Sequence, residues 1–303
     1  MKNKAITFSF VIAAYNAADH LCKNLTSMKQ LDYSKSHFEV VVVDDGSTDN
    51  TKDVLKNISE VNIVYVKTER HGAPHARNVG IKRSKNTIIV FLDSDVILEK
   101  DILRKYAKDF ERKDVDAVQG NVWMQMIKTP VTSIHSKWRQ SAFLDKVQSE
   151  NGFIKTLDTR NVAVRKTLLD RFVKSDNHLF NEKMTTTNGE DRELGYRLVE
   201  FGARILMDDK VIVYHKDPTT YLKIFMQKYR HAKGDAKLGI SERLFDLSNF
   251  NRAVIRPLRF GVPLYFSFLA WVFHICGSEI EIAKMNLSNF RQYLSPKSQP
   301  TEF

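Results

Sequence analysis

Asp93 and Asp95 interrupt an apolar run, IIVFLDSDVIL, at residues 88–98. Residues 88–92 are predicted as a buried strand, and the carboxylates begin where that strand ends. Carboxylates are costly to desolvate unless they are paired or bind a metal ion. Just past a strand end, one of the two can reach a ligand hydroxyl while the other binds Mg²⁺ or Mn²⁺. The alternative is a solvent-facing acidic turn, because the Asp-x-Asp spacing often occurs by chance.

The elements that would position these carboxylates alternate regularly in the first half of the chain. Strands are predicted at residues 6–13, 38–43, 61–66 and 87–92, with helices between them. The first of these helices is predicted to have Asn16 as its N-cap. Strands that alternate with helices at this spacing indicate an α/β protein with a largely parallel sheet and right-handed crossovers.

Three polar clusters follow the ends of these strands. They are residues 14–16 (Ala-Tyr-Asn), residues 44–45 (Asp-Asp) and residues 93–95 (Asp-Ser-Asp). In open α/β sheets, ligands bind beyond the carboxyl ends of the strands, so the clusters are predicted to converge on one crevice. That geometry is typical of a nucleotide site, although the sequence contains neither a GxGxxG nor a Walker loop.

The second half of the chain is less regular. Strands are predicted at residues 115–126 and 210–217, a helix at 133–147, and a strand leading into a helix at 157–172. A further helix starts in the acidic sequence NGED and is predicted to stop at Gly202.

The composition narrows the function classes without choosing one. The formal charge of +11 fits a solvated basic surface, nucleic acid, an anionic small molecule or an anionic membrane face. No nucleic-acid-binding motif accompanies the charge, so no specific nucleic acid is predicted as a partner. The two cysteines are too few for a disulfide framework, and no Cys/His cluster offers a zinc site. The N-terminal residues imitate a signal peptide, but a first core strand is favoured because the α/β alternation continues from it.

Five segments together resemble the family-2 glycosyltransferases, which are nucleotide-sugar enzymes of the GT-A fold. In family order and spacing, the segments are FVIAAYNAADHL, VVVVDDGSTDNT, GAPHARNVGI, VFLDSDV and NGEDRELGYRL, and they cover roughly residues 6–215. The resemblance implies a Rossmann-like, mostly parallel sheet flanked by helices. It also implies metal-dependent inverting transfer of a sugar from an NDP-sugar, with a UDP-sugar as the expected donor.

The resemblance implies roles for side chains on the nucleotide side. Ala14 and Tyr15 would flank the nucleobase, and Asp44 would hydrogen-bond its edge. Arg77 would lie close to the base and the phosphates, and Asp93 would contact the ribose.

The expected metal ligands and catalytic base come from distant parts of the chain. Asp95 matches the family's metal ligand, and many GT-A enzymes place a histidine where His215 stands, as a further ligand of Mg²⁺ or Mn²⁺. The alternative for His215 is a structural hydrogen bond after a strand. Asp191 matches the catalytic base, which takes the proton of the acceptor hydroxyl. Glu190 and Asp191 open a helix whose dipole favours the ionised form, and simple capping of that helix is the alternative.

The segment QKYRHAKG at residues 227–234 resembles a looser form of the Gln-x-x-Arg-aromatic motif of processive relatives. His231 replaces the usual tryptophan, which argues against processive polymerisation. Arg230 and Lys233 are candidates to meet the donor diphosphate as charge builds on the leaving group. The alternative is a basic amphipathic helix on anionic lipid.

Residues 260–277 contain no Asp, Glu, Lys or Arg. A helix of that length reaches roughly 27 Å, near the ~30 Å hydrocarbon core of a bilayer. Arginines precede the segment and acidic residues follow it, which places the catalytic part in the cytoplasm. We therefore expect association with the cytoplasmic face of the cell membrane, through one short span or an in-plane helix. A buried core helix or a dimer contact is the alternative.

The chain is predicted to consist of a catalytic domain at residues 1–217 and a helical, membrane-associated extension at residues 218–303. The catalytic domain would divide into a nucleotide-binding half, to about residue 119, and an acceptor half at residues 120–217. Candidates for the acceptor pocket are Trp123, Trp138, Arg160 and Asn161.

The function expected from the resemblance is transfer of a sugar to a lipid-linked or cell-surface glycan, as in bacterial surface-polysaccharide assembly. Two other classes fit the strands, helices and acidic loops. One is a sugar nucleotidyltransferase, which also uses carboxylate-bound metal with a nucleotide. The other is a non-catalytic nucleotide-binding module.

Overall fold

The computed structural model describes residues 5–56, 58–124, 129–135, 137–138, 152–176, 178–184, 189–215, 220–237, 254–260, 262–276 and 280. The strands in this part of the chain are β1 (Phe8–Ala14), β2 (Phe38–Asp45), β3 (Ile63–Thr68), β4 (Ile88–Asp93), β5 (Val96–Leu98), β6 (Ala117–Met124), β7 (Phe153–Ile154), β8 (Val162–Arg165) and β9 (Ile205–His215). They form one sheet in the order β3-β2-β1-β4-β8-β6-β9-β5, with β7 paired to β9.

Helices connect and cover the strands. They are α1 (Ala18–Lys29), α2 (Thr51–Lys56), α3 (Ala73–Arg83), α4 (Ile102–Asp109), α5 (Lys166–Asp176), α6 (Glu190–Glu200) and α7 (Tyr221–Lys237). Residues 264–276 are also helical.

The first four strands form a block of parallel strands, and β6 also pairs in parallel with β9. β1 pairs in parallel with β2 and with β4, and β2 pairs in parallel with β3. The valine run of β2 is fully buried, with Val40 and Val42 in one hydrophobic cluster and Val41 and Val43 in the other. A continuous β-branched run is what a strand covered on both faces requires. The α/β alternation predicted for this half is confirmed.

The other half of the sheet is mixed, so the predicted largely parallel sheet holds for only part of it. β8 runs antiparallel to β4 and β6, and β5 runs antiparallel to β9. β9 begins at Ile205, five residues before the predicted start, and the two- and three-residue strands β7 and β5 were not predicted. Such short strands are specified by their neighbours in the sheet rather than by their own apolar pattern.

The prediction that Asn16 caps α1 is wrong. The N-cap position is Ala17, which makes no side-chain capping hydrogen bond. Asn16 has a positive φ of 47°, and its side-chain oxygen instead accepts from the backbone N–H of Thr48 over 2.9 Å. Asparagine tolerates this left-handed conformation, and its side chain joins the loop after β1 to the loop after β2.

The chain divides into two compact units. The first comprises Met1–Thr186 and Glu190–Thr219, and the second comprises Thr187–Gly189 and Thr220–Phe303. The predicted domain limits near residues 119 and 217 stay predictions. Part of the predicted helix at 133–147 lies outside the described residues, as do residues 261 and 277 of the apolar segment. Among the described helices, none combines the length and the apolar character needed to cross a bilayer.

Candidate active site

Three side chains at the carboxyl ends of β4 and β9 form a candidate metal site. Oxygen atoms of Asp93 and Asp95 and a ring nitrogen of His215 all lie within 4.8 Å of one another. His215 Nε2 lies 3.2 Å from Asp95 Oδ1. The strand pairing Val96↔His215 sets this proximity, because it places the start of β5 beside the end of β9. The sequence-predicted ligands Asp95 and His215 therefore come together, and Asp93 joins them as a third candidate.

The donor set of this cluster fits a divalent cation. Carboxylates suit Mg²⁺ and Mn²⁺, and imidazole is a common ligand of first-row transition metals. Burial alone would raise the pKa of Asp95, but its hydrogen bond and charge interaction with His215 hold that pKa below the ordinary value. Asp95 is thus ionised at neutral pH, as a metal ligand must be.

Strand register brings the predicted nucleotide-binding residues to the same edge of the sheet. Ala14 pairs with Asp44 across β1 and β2, and Ala13 pairs with Asp93 across β1 and β4. Tyr15 follows β1 and is 39% exposed. The three polar clusters predicted to converge do lie on one edge.

Asp44 is buried, and neighbouring groups keep it ionised. The backbone N–H of Ser47 donates to Oδ1 over 2.7 Å, and the Tyr65 hydroxyl donates to Oδ2 over 2.6 Å. Burial would raise the pKa of Asp44, but these hydrogen bonds lower it below its ordinary value. A fixed carboxylate here can still accept a hydrogen bond from a base edge, because each of its oxygens has a second lone pair.

Arg70 was missed by the sequence analysis. Its guanidinium carbon lies 4.1 Å from the centroid of the exposed Tyr15 ring, which is a cation–π contact. An exposed phenol ring held by a guanidinium is the kind of surface on which a nucleobase stacks. No motif pointed to Arg70, since it lies in the loop after β3.

Arg77 connects the nucleotide side to the helix of the expected catalytic base. Its Nη2 donates to Asp93 Oδ1 over 3.2 Å, and its Nη1 donates to Glu190 Oε1 over 2.8 Å. Arg77 is buried, and Gly80 on the same helix explains how α3 comes so close to the sheet. A Cβ atom at Gly80 would lie 2.4 Å from Cγ1 of Val11 in β1. The predicted contact of Arg77 with base and phosphates stays a prediction.

Asp191 lies in the first turn of α6, in surroundings that favour its protonated form. Burial raises its pKa to about 6, and the negative charges of Glu190 and Asp158 add to the effect while Arg192 and Arg77 oppose it. The helix dipole favours the ionised form, but burial and the like charges of Glu190 and Asp158 outweigh it. A carboxyl group with a pKa near the working pH suits a general base.

Other predicted residues lie elsewhere. Asn161 is completely buried, and its side chain donates to the backbone oxygens of Asn121 and Val211, so it is a structural residue rather than part of an acceptor pocket. Trp123 is 45% exposed at the end of β6. Trp138 stacks on His135, with 6.4 Å between the ring centroids. Arg230 is exposed on α7, in the second unit.

Comparison with known proteins identifies the family of this chain. The family model described as Glycosyl transferase family 2 matches residues 9–172, more than half of the chain. The chain belongs to this family. It is 27% identical over 245 residues to the glycosyltransferase AglE of Haloferax volcanii, covering 78% of this chain and 75% of AglE. Two further curated glycosyltransferases are matched over only 64% and 34% of their own length.

Solved structures show the same fold. The mannosyltransferase PcManGT from Pyrobaculum calidifontis, in complex with GDP-Man and Mn²⁺, has a TM-score of 0.60 at 18% identity, covering 97% of this chain and 82% of PcManGT. TarS 1-349 of S. aureus in complex with UDP-GlcNAc has a TM-score of 0.55 at 17% identity, covering 93% of this chain and 92% of TarS 1-349. The expected family, the GT-A fold and the glycosyltransferase activity are therefore confirmed.

Proposed function

We propose that this glycosyltransferase moves a sugar from an NDP-sugar, with a UDP-sugar as the expected donor, to a glycan acceptor by a metal-dependent inverting reaction. The observation that carries the proposal is the Asp93, Asp95 and His215 cluster, whose ligand atoms lie within 4.8 Å of one another. Arg77 connects this cluster to the helix that carries Asp191. A cation site and a carboxyl group with a raised pKa, gathered in one unit, are the two parts that such a transfer needs.

The roles of the chain's own residues follow from this arrangement. Asp95, His215 and Asp93 would hold Mg²⁺ or Mn²⁺, which offsets the charge of the diphosphate. The Asp191 carboxylate takes the proton of an acceptor hydroxyl as that oxygen bonds to the anomeric carbon. The bond between the anomeric carbon and the diphosphate oxygen breaks, and the NDP leaves with that electron pair. Attack opposite the leaving group inverts the anomeric configuration.

The test is transfer by the purified protein with a panel of donors. UDP-GlcNAc and GDP-mannose are included because the structural neighbours bind them. Released nucleotide and transferred sugar are measured with and without EDTA. Release of NDP is expected; release of pyrophosphate would instead indicate a nucleotidyltransferase. Donor binding with no turnover on any glycan acceptor would favour the non-catalytic module.

The metal role has a test that does not depend on turnover. Mn²⁺ binding is measured by calorimetry for the wild type and for Asp95→Asn, with Asp101→Asn as a control because Asp101 lies outside the cluster. Loss of binding in Asp95→Asn alone is expected. Transfer that survives stringent metal depletion would contradict the proposal.

Membrane association is proposed from the surface of the second unit. Helix 264–276 packs against α7, with Phe225 and Phe273 ring centroids 5.2 Å apart. The two helices also expose large apolar side chains, which are Leu222, Met226, Leu264, Tyr265, Phe268 and Leu269. We call these six residues the apolar face. Exposed Lys223, Arg230 and Arg259 occur in the same unit.

An anionic bilayer surface fits this combination. An amphipathic helix with basic neighbours lies in the plane of the interface, where apolar burial and attraction to anionic lipid add together. Such docking at the cytoplasmic membrane face would bring the enzyme to a lipid-linked or cell-surface glycan. That acceptor class rests on analogy with relatives in glycan assembly.

Vesicle co-sedimentation tests the docking. The wild type is expected to bind vesicles with phosphatidylserine more strongly than neutral vesicles, and Phe268→Ser with Leu269→Ser should weaken binding more than tenfold. Leu103→Ala in the core of the first unit controls for loss of stability. Equal binding of wild type and double variant would reject the apolar face as a membrane surface.

A further inference from the structure

Arg160 lies in the loop between β7 and β8, where Asp158 holds its guanidinium in place. Nε donates to Asp158 Oδ1 over 2.8 Å, and Nη2 donates to Oδ2. The backbone N–H of Arg160 also donates to Oδ1 over 3.1 Å. Gln119 fixes the pair, because its side-chain oxygen accepts from the backbone N–H of Asp158 over 2.7 Å. The guanidinium therefore has a defined position, which a free surface arginine lacks.

Part of this guanidinium makes no hydrogen bond to the residues that the structure describes. An arginine has five N–H donors, and the bidentate contact with Asp158 uses one on Nε and one on Nη2. Nη1 makes no hydrogen bond to any residue in the described part of the chain, and the side chain is only 16% exposed. Donors with so little contact with water need partners. The side chain remains accessible, so a ligand can supply them.

Arg160 lies near enough to Asp93 and Asp191 to interact electrostatically with both carboxylates. Burial would lower the pKa of Arg160, but Asp158 raises it, and Asp93 and Asp191 raise it further. One guanidinium is thus within electrostatic range of both Asp93 and Asp191. In the proposed reaction, the group that lies between these two carboxylates is the sugar being transferred.

Close packing keeps the Arg160 loop beside the helix of Asp191. A Cβ atom at Gly195 of α6 would lie 2.6 Å from the backbone nitrogen of Leu157. Only glycine allows α6 to approach the loop so closely. Asp158 and Arg160 follow Leu157 directly. The contact therefore fixes the position of the Arg160 loop relative to the helix that carries Asp191.

From these contacts we infer that Arg160 is a donor-binding residue whose Nη1 group donates hydrogen bonds to hydroxyl oxygens of the transferred sugar. The inference rests on the proposed function and deepens it. Hydroxyl oxygens are suitable acceptors, whereas the negative charges of Asp158, Asp93 and Asp191 oppose the binding of a further anion next to Arg160. Asp158 acts through Arg160 as a positioning residue.

The test compares binding of a nucleotide with and without its sugar. Dissociation constants are measured by calorimetry in the presence of Mn²⁺ for UDP against UDP-GlcNAc and for GDP against GDP-mannose. The donor pair that the wild type binds is then measured for Arg160→Met and Arg160→Lys. We expect Arg160→Met to weaken NDP-sugar binding about ten- to a hundredfold while NDP binding changes less than about twofold. The NDP-sugar affinity of Arg160→Lys should lie between those of the wild type and Arg160→Met. Lysine keeps the positive charge but lacks the planar guanidinium that can donate two parallel hydrogen bonds.

Arg112→Met is the matched control. Arg112 makes the same bidentate contact with Asp114, two residues away, at the protein surface. This variant should bind NDP and NDP-sugar as the wild type does. Melting curves accompany each variant, and if Arg160→Met does not fold, Arg160→Lys and Asp158→Asn carry the test.

Two results would overturn the inference. Equal weakening of NDP and NDP-sugar binding would mean that Arg160 supports the site as a whole. Unchanged NDP-sugar binding would mean that it does not contact the sugar. Failure of the wild type to bind any NDP-sugar of the donor panel is a separate result, which would reject the proposed function itself.

Discussion

At the scale of single residues, Asp191 decides how the proposed transfer depends on pH. Its pKa is raised to about 6, with burial as the first cause. A general base must be ionised to accept a proton. The carboxyl group is protonated below its pKa, so activity is lost as pH falls through that value.

We therefore predict that kcat/KM declines below about pH 6. Asp191→Asn should lower kcat by a factor on the order of 10²–10⁴, because the amide cannot accept the proton, while donor affinity remains within a fewfold. Steady-state kinetics between pH 5 and 8 and donor calorimetry check both statements. Activity of Asp191→Asn close to that of the wild type would remove Asp191 as the base.

Glu190 gives a second prediction. Its negative charge raises the pKa of Asp191, second only to burial. Glu190→Gln removes that charge and also leaves Arg77 less neutralised, and both changes favour ionised Asp191. The acidic limb of the pH profile should therefore move to lower pH.

Glu193→Gln is the control for this prediction. Glu193 lies on the same helix and pairs with Arg197 through a 2.7 Å contact. The Glu193→Gln variant should keep the acidic limb of the pH–activity profile at its wild-type position. A shift to higher pH in Glu190→Gln would contradict the electrostatic account of Asp191.

At the scale of elements, the contact between α6 and the loop before β8 holds two parts of the site together. Gly195→Ala would place a Cβ atom 2.6 Å from the Leu157 nitrogen and 2.9 Å from Thr156 Cα. Backbone atoms cannot yield as a flexible side chain can, so α6 must move. We expect the free energy of unfolding to fall by about 1–3 kcal/mol and kcat to fall more than tenfold.

Denaturant unfolding and transfer assays check the Gly195→Ala prediction. Glu200→Ala, at the exposed end of α6, should change neither quantity appreciably. If the Gly195→Ala protein keeps the wild-type kcat, the contact does not position Asp191.

The elements also show what the sequence could predict and what it could not. The valine run of β2 and the apolar run of β4 are long and β-branched or aliphatic, so their burial follows from composition. β5 has three residues, and it exists because β9 provides its hydrogen-bonding partner. The local sequence of β5 cannot predict that it pairs with a strand more than 100 residues further along the chain.

The candidate site divides in the same way. Asp95 and His215 were predicted from the family motifs, and the structure brings them together. Arg70 occurs in a loop without a motif, and its contact with Tyr15 depends on tertiary packing. Arg160 was named only as a candidate for the acceptor pocket, and no motif predicted its pairing with Asp158. The prediction that Asn161 lines an acceptor pocket was wrong because the sequence places it in a polar loop. Its burial between β6, β8 and β9 depends on tertiary packing that the sequence does not show.

At the scale of the whole molecule, one half-buried acidic pair connects folding stability to pH. Asp109 ends α4, and its pKa is raised to about 7 by burial and by neighbouring Asp208 on β9. The folded state then holds a proton that the unfolded chain has released above a pKa of about 4. Stability should therefore fall as pH rises from about 4 to 7.

Asp109→Asn removes this dependence, because an amide stays neutral and can donate to Asp208. We predict that the variant melts a few °C above the wild type at pH 8, about 1 kcal/mol of stability, and close to it at pH 5. Thermal melts at the two pH values provide the check. Asp114→Asn should behave in the opposite sense at pH 8, since hydrogen bonding to Arg112 lowers the pKa of Asp114. An unchanged melting temperature at pH 8 would show that Asp109 and Asp208 do not share a proton.

The antiparallel ladder between β5 and β9 has a consequence for how a cation is received. Backbone pairing of Val96 with His215, and of Leu98 with Val213, fixes the main chain on either side of the cluster. The imidazole and the carboxylate are thus preorganised, and little conformational entropy remains to be lost when an ion enters. β5 is the last strand at that edge of the sheet, and its Val96 and Leu98 are buried in the hydrophobic core. Loss of the cation ligands by fraying of β5 would therefore also expose part of that core.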